Sequence, residues 1–347
     1  MVIKMIKLAV DSMGGDFAPE VIIKGVCKAL FEEKDLYIFY LEIKKKLEKI
    51  FNEKINKKIY TKINKQFHII HTPFFIDANI TNIREEIRDN INNSMFLAIQ
   101  AAQKNKVDGV ISAGPTQALV LASFLMLQKL EGMNRLALAP IFNSPDKRKR
   151  ILLDAGANID VKSENLLNFA ICASIAAKEL LDIKNPIVKL LNIGKEKNKG
   201  RQKELELYNL LEKDKRINFK GNEEPQNILT SEADILLSDA FTCNMVLKSY
   251  KGAIKQNMLY IKKIMNNNLL SKIISKFLFA KKLKTLNKNL DSKEIGGAML
   301  LGLNKIVIKA HGDSKEYAFY KAILQGKTLI EKNFLHKIMK NLQSNKN

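Results

Sequence analysis

Short runs of β-branched and other apolar residues recur along the chain, and each run ends in small or polar residues. Seven such runs are visible: IKLAVDSMGG, VDGVISAGPT, RILLDAGAN, IVKLLNIGK, INFKGN, ADILLSDAF and KIVIKAHGD. Stretches of helical length separate most of them, for example residues 116–130 and 163–181. Strands that alternate with helices predict an α/β fold with a mainly parallel sheet covered on both faces.

The ends of these runs share one chemistry. Glycine lets the backbone approach a ligand closely, and Asp, Asn, Ser and His supply hydrogen-bonding groups. In a parallel sheet the carboxyl ends of the strands meet at one edge, where α/β proteins bind their ligands. Glycine and asparagine are also ordinary turn residues, but the repetition over seven strands favours a shared binding crevice.

Two segments interrupt the alternation of strands and helices. Residues 41–66 are rich in Lys and Asn and predict a solvated helix and loop, and residues 241–290 contain eleven lysines and no acidic residue. Within the second segment, residues 269–286 predict an amphipathic helix that lies on an anionic surface or is bound by a partner. A surface helix docked on its own core is the alternative. The apolar face and the lysines opposite it consist of Leu270, Ile273, Ile274, Phe277, Leu278, Lys272 and Lys276.

No repeat and no low-complexity linker divides the sequence. Residues 1–347 are therefore predicted to form a single α/β domain with a Lys-rich helical excursion at about residues 255–290. The hydrophobic fraction of 46% is typical of a globular protein. The net charge of +22 comes from lysine in a chain that is also rich in Asn and Ile. Such a bias is expected from codon usage, so the charge alone does not indicate a nucleic-acid partner.

Cysteine use and hydropathy bound the setting of the protein. The three cysteines Cys27, Cys172 and Cys243 are far apart and form no CxxC pair, so neither a zinc site nor a disulfide framework is predicted. A reducing cytoplasm is the simplest location. No stretch reaches the roughly 18 apolar residues that a membrane span needs.

Three strand-end loops carry the candidate chemistry. In VDSMGGDFAPE, residues 10–20, two glycines precede a helix that starts near Pro19, which aims backbone N–H groups at an anion. SAGPTQAL, residues 112–119, repeats this arrangement, and HGDS, residues 311–314, adds a histidine as a proton donor or phosphate ligand. The sequence has no dinucleotide fingerprint, no P-loop and no nucleophile motif. Positioning and electrostatic stabilisation would carry any reaction.

In combination, these segments resemble the PlsX-type phosphate acyltransferases. The blocks follow one another in the order of that family from about residue 7 to about residue 325: LAVDSMGGDFAPE, SAGPTQAL, LLDAGANID, LLNIGKEKNKG, FKGNEEP, LLSDAFTCNMVLKSYKGA and GGAMLLGLNKIVIKAHGDS. The resemblance implies a Rossmann-like three-layer α/β/α sandwich related to the isocitrate dehydrogenase and phosphate acetyltransferase group. It also implies a bacterial enzyme of phospholipid synthesis that transfers a long acyl chain from acyl carrier protein to inorganic phosphate, giving acyl phosphate.

The resemblance further implies the partners and the location of the protein. We expect a homodimer in the cytoplasm that associates peripherally with the inner face of the cell membrane. A glycerol-phosphate acyltransferase would take up the product. No metal, no organic cofactor and no nucleic acid is implied. Acyl carrier protein and anionic lipids are both acidic, so the basic surface of the chain suits either of them.

Site residues follow from the resemblance by motif position. His311 and Lys199 are predicted to hold phosphate or to assist the leaving thiolate, and Asn158 and Asn244 to orient the acyl carbonyl. The remaining residues of the crevice are predicted to bind substrate or phosphate: Asp11, Gly14, Gly15, Asp16, Ser112, Gly114, Thr116, Asp154, Asn192, Gly194, Gly221, Asn222, Asp239 and Lys248.

The chain also departs from the family pattern. Ala18, Ala240 and Cys243 stand where glycine is usual, and each added Cβ can restrict the approach of the backbone to a ligand. Asp313 stands where serine is usual. Its carboxylate would either raise the basicity of His311 or repel phosphate.

Three alternative functions compete with this interpretation. A short-chain phosphate acetyltransferase shares the chemistry and differs in accepting acetyl-CoA. A nicotinamide-dependent dehydrogenase of the same fold group would need a cluster of metal-binding aspartates and a cofactor loop, and the sequence shows neither. A basic scaffold that binds membrane or nucleic acid without catalysis would explain the charge but not the seven strand ends.

Overall fold

The strands and helices follow one another in the predicted alternation. The computed structural model describes residues 5–42, 49–50, 53, 55, 57–77, 80, 82–266, 268, 279 and 296–343. Within these residues the strands are β1 (Ile6–Asp11), β2 (Leu36–Glu42), β3 (Phe67–His71), β4 (Gly109–Ser112), β5 (Ala137–Ala139), β6 (Ile141–Asn143), β7 (Lys149–Leu153), β8 (Ile187–Leu191), β9 (Asn218–Glu223), β10 (Ile235–Leu237), β11 (Ala298–Leu301) and β12 (Ile306–Lys309). The helices are α1 (Glu20–Glu32), α2 (Lys57–Ile63), α3 (Ile83–Asp89), α4 (Ser94–Gln103), α5 (Thr116–Met126), α6 (Ser163–Leu181), α7 (Gln202–Lys213), α8 (Ala240–Met265), α9 (Glu316–Glu331) and α10 (Phe334–Gln343).

The described strands form two sheets. One has seven strands in the order β3-β2-β1-β4-β12-β11-β5, and the other has five in the order β6-β7-β10-β8-β9. Pairing is parallel except around β11, which is antiparallel to both of its neighbours, and between β6 and β7. Strands β5 and β6 are edge strands of different sheets, and Pro140 alone separates them in the chain.

Each of the seven predicted apolar runs contains a strand, and the helix predicted over residues 163–181 has those bounds. The helix predicted over residues 116–130 ends at Met126. The expectation for residues 41–66 is wrong at its start, because Leu41 and Glu42 are buried in β2. Five strands were not predicted (β2, β3, β5, β6 and β11), and the division into two sheets was not predicted either.

A continuous cluster of buried apolar side chains connects the two sheets. It includes Ile308 of the seven-stranded sheet, Leu153 of the five-stranded sheet and Phe169 of α6. Helix α6 packs on β7 and β10 and also contacts α9 and α10. Each fully buried side chain of this size contributes about 1.5–3 kcal/mol, so this shared core stabilises the arrangement of both sheets.

Helix α8 leaves the five-stranded sheet after β10 and has little contact with the core. Its 26 residues correspond to a length of about 39 Å. Asp239 caps its start by accepting a hydrogen bond from Thr242 N at 2.8 Å, and its buried residues are Ala240 and Cys243. Residues 255–265 of the predicted excursion form its last turns. None of the helices that the structure describes is long and apolar enough to cross a bilayer.

The membrane-contact residues predicted from the sequence lie outside the described residues. They are Leu270, Ile273, Ile274, Phe277, Leu278, Lys272 and Lys276.

Substitution of alanine for glycine should have opposite effects on stability at two helical positions. At Gly25 in α1 a Cβ would lie 2.9 Å from the carbonyl oxygen of Glu316 and 3.1 Å from Tyr320 N, whereas at Gly252 in α8 no atom lies within 4 Å. Alanine improves helix propensity by about 1 kcal/mol at either site, but overpacking costs about 1–3 kcal/mol. We expect Gly25→Ala to lower the free energy of unfolding and Gly252→Ala to raise it, measured by urea denaturation. Stabilisation by both substitutions would contradict the close packing of α1 on α9.

Candidate active site

The carboxyl ends of β1, β4 and β12 lie side by side and form the first edge of the candidate site. Asp11 lies opposite Ser112 in the sheet, and Ser112 lies opposite Lys309. The loops that follow are joined by backbone hydrogen bonds, since Asp16 N donates to the oxygen of Gly312 at 2.8 Å. The edge therefore carries three loops in a fixed arrangement.

Asp11 is buried beneath these loops and organises them. Its two carboxylate oxygens accept hydrogen bonds from the hydroxyls of Ser94 and Ser112, each at 2.6 Å, and Ser112 Oγ accepts from Gly114 N at 3.0 Å. Burial raises the pKa of Asp11, and the serine hydroxyls act in the opposite direction. These contacts make Asp11 and Ser112 residues that position the loops.

The glycines of the first two loops are required by close packing. A Cβ at Gly14 would lie 2.5 Å from Gly114 N, and a Cβ at Gly114 would lie 2.5 Å from Cε of Met95. Gly15 has a φ of +106°, in the region that favours glycine. The two loop backbones therefore pack this closely only because neither position carries a side chain.

These loops open into a pocket of about 430 Å³. Helix α5 begins in its wall at Thr116 and has no side-chain cap, so the first N–H groups of the helix have no side-chain acceptor. Donors of this kind suit an anion or the oxygen of a polarised carbonyl. The pocket is lined by Met13, Gly15, Asp16, Phe75, Ile76, Asp77, Ala113, Gly114, Pro115, Thr116, Lys309 and Gly312.

Lys309 also lies in this wall and was not predicted from the sequence. Its side chain is buried at the end of an otherwise apolar strand, and Nζ donates to the backbone oxygens of Ala113, at 3.3 Å, and Ala310. Burial lowers the pKa of Lys309 to about 8. A lysine inside a run of buried residues is the signal that could have identified it. The predicted His311 follows two residues later and is partly buried.

The second edge of the candidate site is formed by the carboxyl ends of β7, β10, β8 and β9. Asp154 follows β7 and is fully buried. Its Oδ1 accepts hydrogen bonds from the backbone N–H groups of Leu138, Gly156 and Ala157 at 2.9–3.1 Å, and its Oδ2 accepts from the backbone and side-chain nitrogens of Asn158 at 2.8 and 2.7 Å. Burial raises the pKa of Asp154, and these hydrogen bonds oppose the shift.

Several residues predicted to contact substrate at this edge donate hydrogen bonds that hold loops. The side-chain amide of Asn158 donates to the oxygen of Leu136 as well as to Asp154, so its N–H donors are already used. Asn192 donates to the backbone oxygen of Lys199 at 2.9 Å, and Asn222 donates to that of Glu196 at 2.8 Å. The asparagines thereby hold the loop of residues 193–200, which carries exposed lysines.

The remaining predicted residues surround this loop and the start of α8. Asp239 accepts a hydrogen bond from Nη2 of Arg201 at 3.0 Å in addition to capping the helix. Asn244 is partly buried in the first turns of α8, and Lys248 is exposed one turn later. Gly194 is buried beside the side chain of Lys199, and Gly221 has a φ of +80°.

The predicted crevice set is thus divided between two edges. β5 connects them, because its Leu138 N donates to Asp154. Three strand spacings separate β5 from β4 in the seven-stranded sheet, about 14 Å. Among the described residues, no group of three or more His, Cys, Asp or Glu is arranged to hold a metal ion.

Comparison with known proteins identifies the family. A family model described as "Fatty acid synthesis protein" matches residues 6–337. Proteins named phosphate acyltransferase from Onion yellows phytoplasma and Acholeplasma laidlawii are 51% and 40% identical, over 99% and 96% of this chain and 92% and 97% of those proteins. The chain belongs to the phosphate acyltransferase family. It is an enzyme, and the resemblance found in the sequence is confirmed.

Solved structures confirm the fold class of this phosphate acyltransferase family member. A phosphotransacetylase from Streptococcus pyogenes superposes with a TM-score of 0.61 at 17% identity, covering 94% of each chain. A branched-chain phosphotransacylase from Enterococcus faecalis superposes with a TM-score of 0.55 at 15% identity, covering 96% of this chain and 99% of that chain. Likeness at this level of identity concerns the fold alone.

The buried residues Asp11 and Asp154 should differ in the free energy that the same isosteric change costs. In Asp154→Asn the new NH₂ group faces backbone N–H donors that cannot accept a hydrogen bond, at a cost of about 3 kcal/mol. In Asp11→Asn the NH₂ group faces a serine hydroxyl that can accept, so we expect a loss of about 1 kcal/mol or less. Urea denaturation of both variants measures the difference. Equal losses would contradict the assigned hydrogen bonds.

Proposed function

We propose that this enzyme transfers a long-chain acyl group from acyl carrier protein to inorganic phosphate. An oxygen of phosphate attacks the thioester carbon, the C–S bond breaks, and the products are acyl phosphate and the carrier thiol, which takes up one proton. Phosphate is itself the nucleophile, so the enzyme needs no serine or cysteine nucleophile. The pocket at the end of β1, β4 and β12 carries the proposal, because it combines uncapped helix N–H groups with a buried cation.

The residues at the two edges suit two parts of this reaction. Donors in the pocket can hold phosphate and stabilise the oxyanion that forms when the thioester is attacked. His311 and Lys199 are proposed to hold phosphate or to protonate the leaving thiolate, and Asn244 to orient the acyl carbonyl. Asn158 is proposed to act indirectly, because its side chain holds the Asp154 loop.

The donor and the location are proposed from charge and exposure. The net charge of +22 favours an acidic carrier protein and an anionic membrane surface. Tyr260 and Ile264 of α8 are 70% and 67% exposed, and residues 241–265 contain lysines but no acid. We propose a homodimer on the cytoplasmic face of the membrane, where a glycerol-phosphate acyltransferase consumes the acyl phosphate.

The direct test is formation of acyl phosphate from palmitoyl carrier protein and inorganic phosphate, with acetyl-CoA as the alternative donor. We expect His311→Ala and Asn244→Ala to lower kcat by about a hundredfold, and Lys199→Ala to lower kcat/KM by about tenfold. Lys106→Ala removes an exposed lysine from the loop before β4, at the end of that strand away from the site; it is the matched control and should retain full activity. Turnover of acetyl-CoA but not of the long-chain carrier protein would assign the enzyme to short-chain chemistry.

Two outcomes would overturn parts of this assignment. If the wild-type protein forms no acyl phosphate from either donor, the proposed function is wrong. Full activity of both His311→Ala and Asn244→Ala would remove these residues from the catalytic site. The mass of the protein in solution, measured by light scattering, tests the homodimer.

Membrane association is tested on α8. Loss of the exposed apolar side chains in a Tyr260→Ser, Ile264→Ser double variant should weaken pelleting with vesicles that contain phosphatidylglycerol by about tenfold or more, since each buried side chain contributes about 1.5–3 kcal/mol. Leu125→Ser removes a side chain that is 57% exposed on α5 and should have no effect. Equal pelleting of wild type and double variant would exclude these residues of α8 from membrane contact.

A further inference from the structure

The ammonium group of Lys309 has more N–H donors than it has acceptors among the described residues. The side chain is only 8% exposed, and its ammonium donates to the backbone oxygens of Ala113 and Ala310. An ammonium carries three N–H donors. No third acceptor lies within hydrogen-bond distance in the part of the chain that the structure describes. One N–H is therefore available to a molecule in the pocket that Lys309 lines.

A positive charge at this position is costly. Burial lowers the pKa of Lys309, although Asp11, Asp16 and Asp313 favour the charged form. Both hydrogen bonds go to neutral carbonyl oxygens and not to a carboxylate. An apolar side chain would continue the pattern of β12 and avoid the desolvation cost. A bound anion would supply the missing compensation for the buried charge.

The groups around Lys309 complete an anion site. The uncapped first turn of α5 begins at Thr116 in the same wall, and the glycines at 15 and 312 add no side chain that would block an approach. Charge-assisted hydrogen bonds from an ammonium together with helix N–H groups are a recurrent means of holding phosphate. At about 430 Å³, the pocket also has room for the reacting end of an acyl donor beside the anion.

Acidic residues face the same pocket from several elements. Asp16 and Asp77 line it but are exposed, so water and salt screen their charge. Asp11 is buried, accepts hydrogen bonds from two serines and has a raised pKa. His311 and Asp313 lie in the loop after β12, and Asp313 is exposed. Lys309 is a buried cation that lines this wall, and its charge favours an anion at the inner end of the pocket.

We infer that Lys309 binds the inorganic phosphate substrate, donating its third N–H to a phosphate oxygen at the inner end of this pocket. The inference rests on the proposed function for the identity of the anion. It assigns phosphate to the edge formed by β1, β4 and β12, next to the first turn of α5. The acyl thioester then approaches from the open side of the pocket.

The first experiment measures phosphate binding and kinetics in matched variants of the full-length enzyme. Lys309→Met should weaken phosphate binding by calorimetry, and raise the KM for phosphate, by about tenfold to a hundredfold, with little change in the KM of the acyl donor. Lys305 precedes β12 at the opposite end of the strand, and its ammonium donates to the oxygen of Val107 at 3.3 Å. Lys305→Met is the control and should match the wild type. Asp16→Asn should lower the KM for phosphate, because it removes a negative charge from the pocket.

The second experiment uses the wild-type protein and needs no variant. The lysine pKa of about 8 predicts that phosphate binds the protonated side chain and that affinity falls as pH rises through this value. Between about pH 8 and about pH 9.5 the charged fraction falls roughly 15-fold. Phosphate is mainly the dianion over this range, so affinity should fall by about the same factor. Lys309→Met should show a flat profile of phosphate affinity against pH. If Lys309 only joined two loops, the wild-type profile would be flat as well.

Distinct outcomes separate this inference from the proposed function. The inference is overturned if Lys309→Met binds phosphate as tightly as the wild type and if the phosphate affinity of the wild type does not change with pH, even if acyl phosphate is formed. If Lys309→Met and Asp16→Asn each raise the KM of the acyl donor and leave the KM for phosphate unchanged, the pocket binds the acyl donor and the inference is wrong. If phosphate binds with the predicted pH dependence but no acyl phosphate forms, the site survives and the proposed function fails.

Discussion

The buried carboxylate of Asp154 lies where the two sheets meet. Asp154 follows β7 of the five-stranded sheet and accepts a hydrogen bond from Leu138 N in β5 of the seven-stranded sheet. Its other hydrogen bonds hold its own loop, and the backbone oxygen of Asn158 in that loop accepts from Ala240 N at the start of α8. Asp154 therefore helps to fix the relative positions of both edges of the site and of the long helix, together with the hydrogen bond from Ala155 N to the oxygen of Leu138 at 2.8 Å. Backbone N–H groups cannot reverse their direction, so this role requires oxygens on both branches of the side chain.

The two edges differ in how their charges are exposed to water. At the first edge Asp11 and Lys309 are buried, and a ligand there interacts with them through a medium of low polarity. At the second edge the lysines of residues 193–200 are exposed, and salt screens them. Buried charges favour a small anion held in one place. Exposed lysines favour a large acidic partner that must dissociate after each turnover, as the proposed carrier protein must.

The pattern of apolar and polar residues predicted the strands and helices that depend mainly on residues close in sequence. The apolar runs that end in glycine or aspartate became strands, and residues 163–181 became a helix with the expected bounds. Strands β5 and β6 have three residues each around Pro140, too few for a periodic signal. Asn192 and Asn222 also hold a loop, which the sequence did not predict, because the backbone oxygens that accept from them come near only in the folded loop. Lys309 was not predicted as a site residue, because sequence alone does not show that three loops cover the end of β12.

Two of the three positions where the resemblance leads us to expect glycine, Ala240 and Cys243, accommodate their side chains in the fold. Ala240 and Cys243 are the buried residues of α8, and Sγ of Cys243 donates to the oxygen of Leu153 at 3.3 Å. Their side chains therefore fill space beneath the helix and leave the open face unchanged. By contrast, Gly14 and Gly114 are retained where a Cβ would lie 2.5 Å from a neighbouring atom. The side chains of Ala240 and Cys243 thus pack inward, whereas Gly14 and Gly114 lie where two loop backbones touch beside the pocket and a side chain has no room.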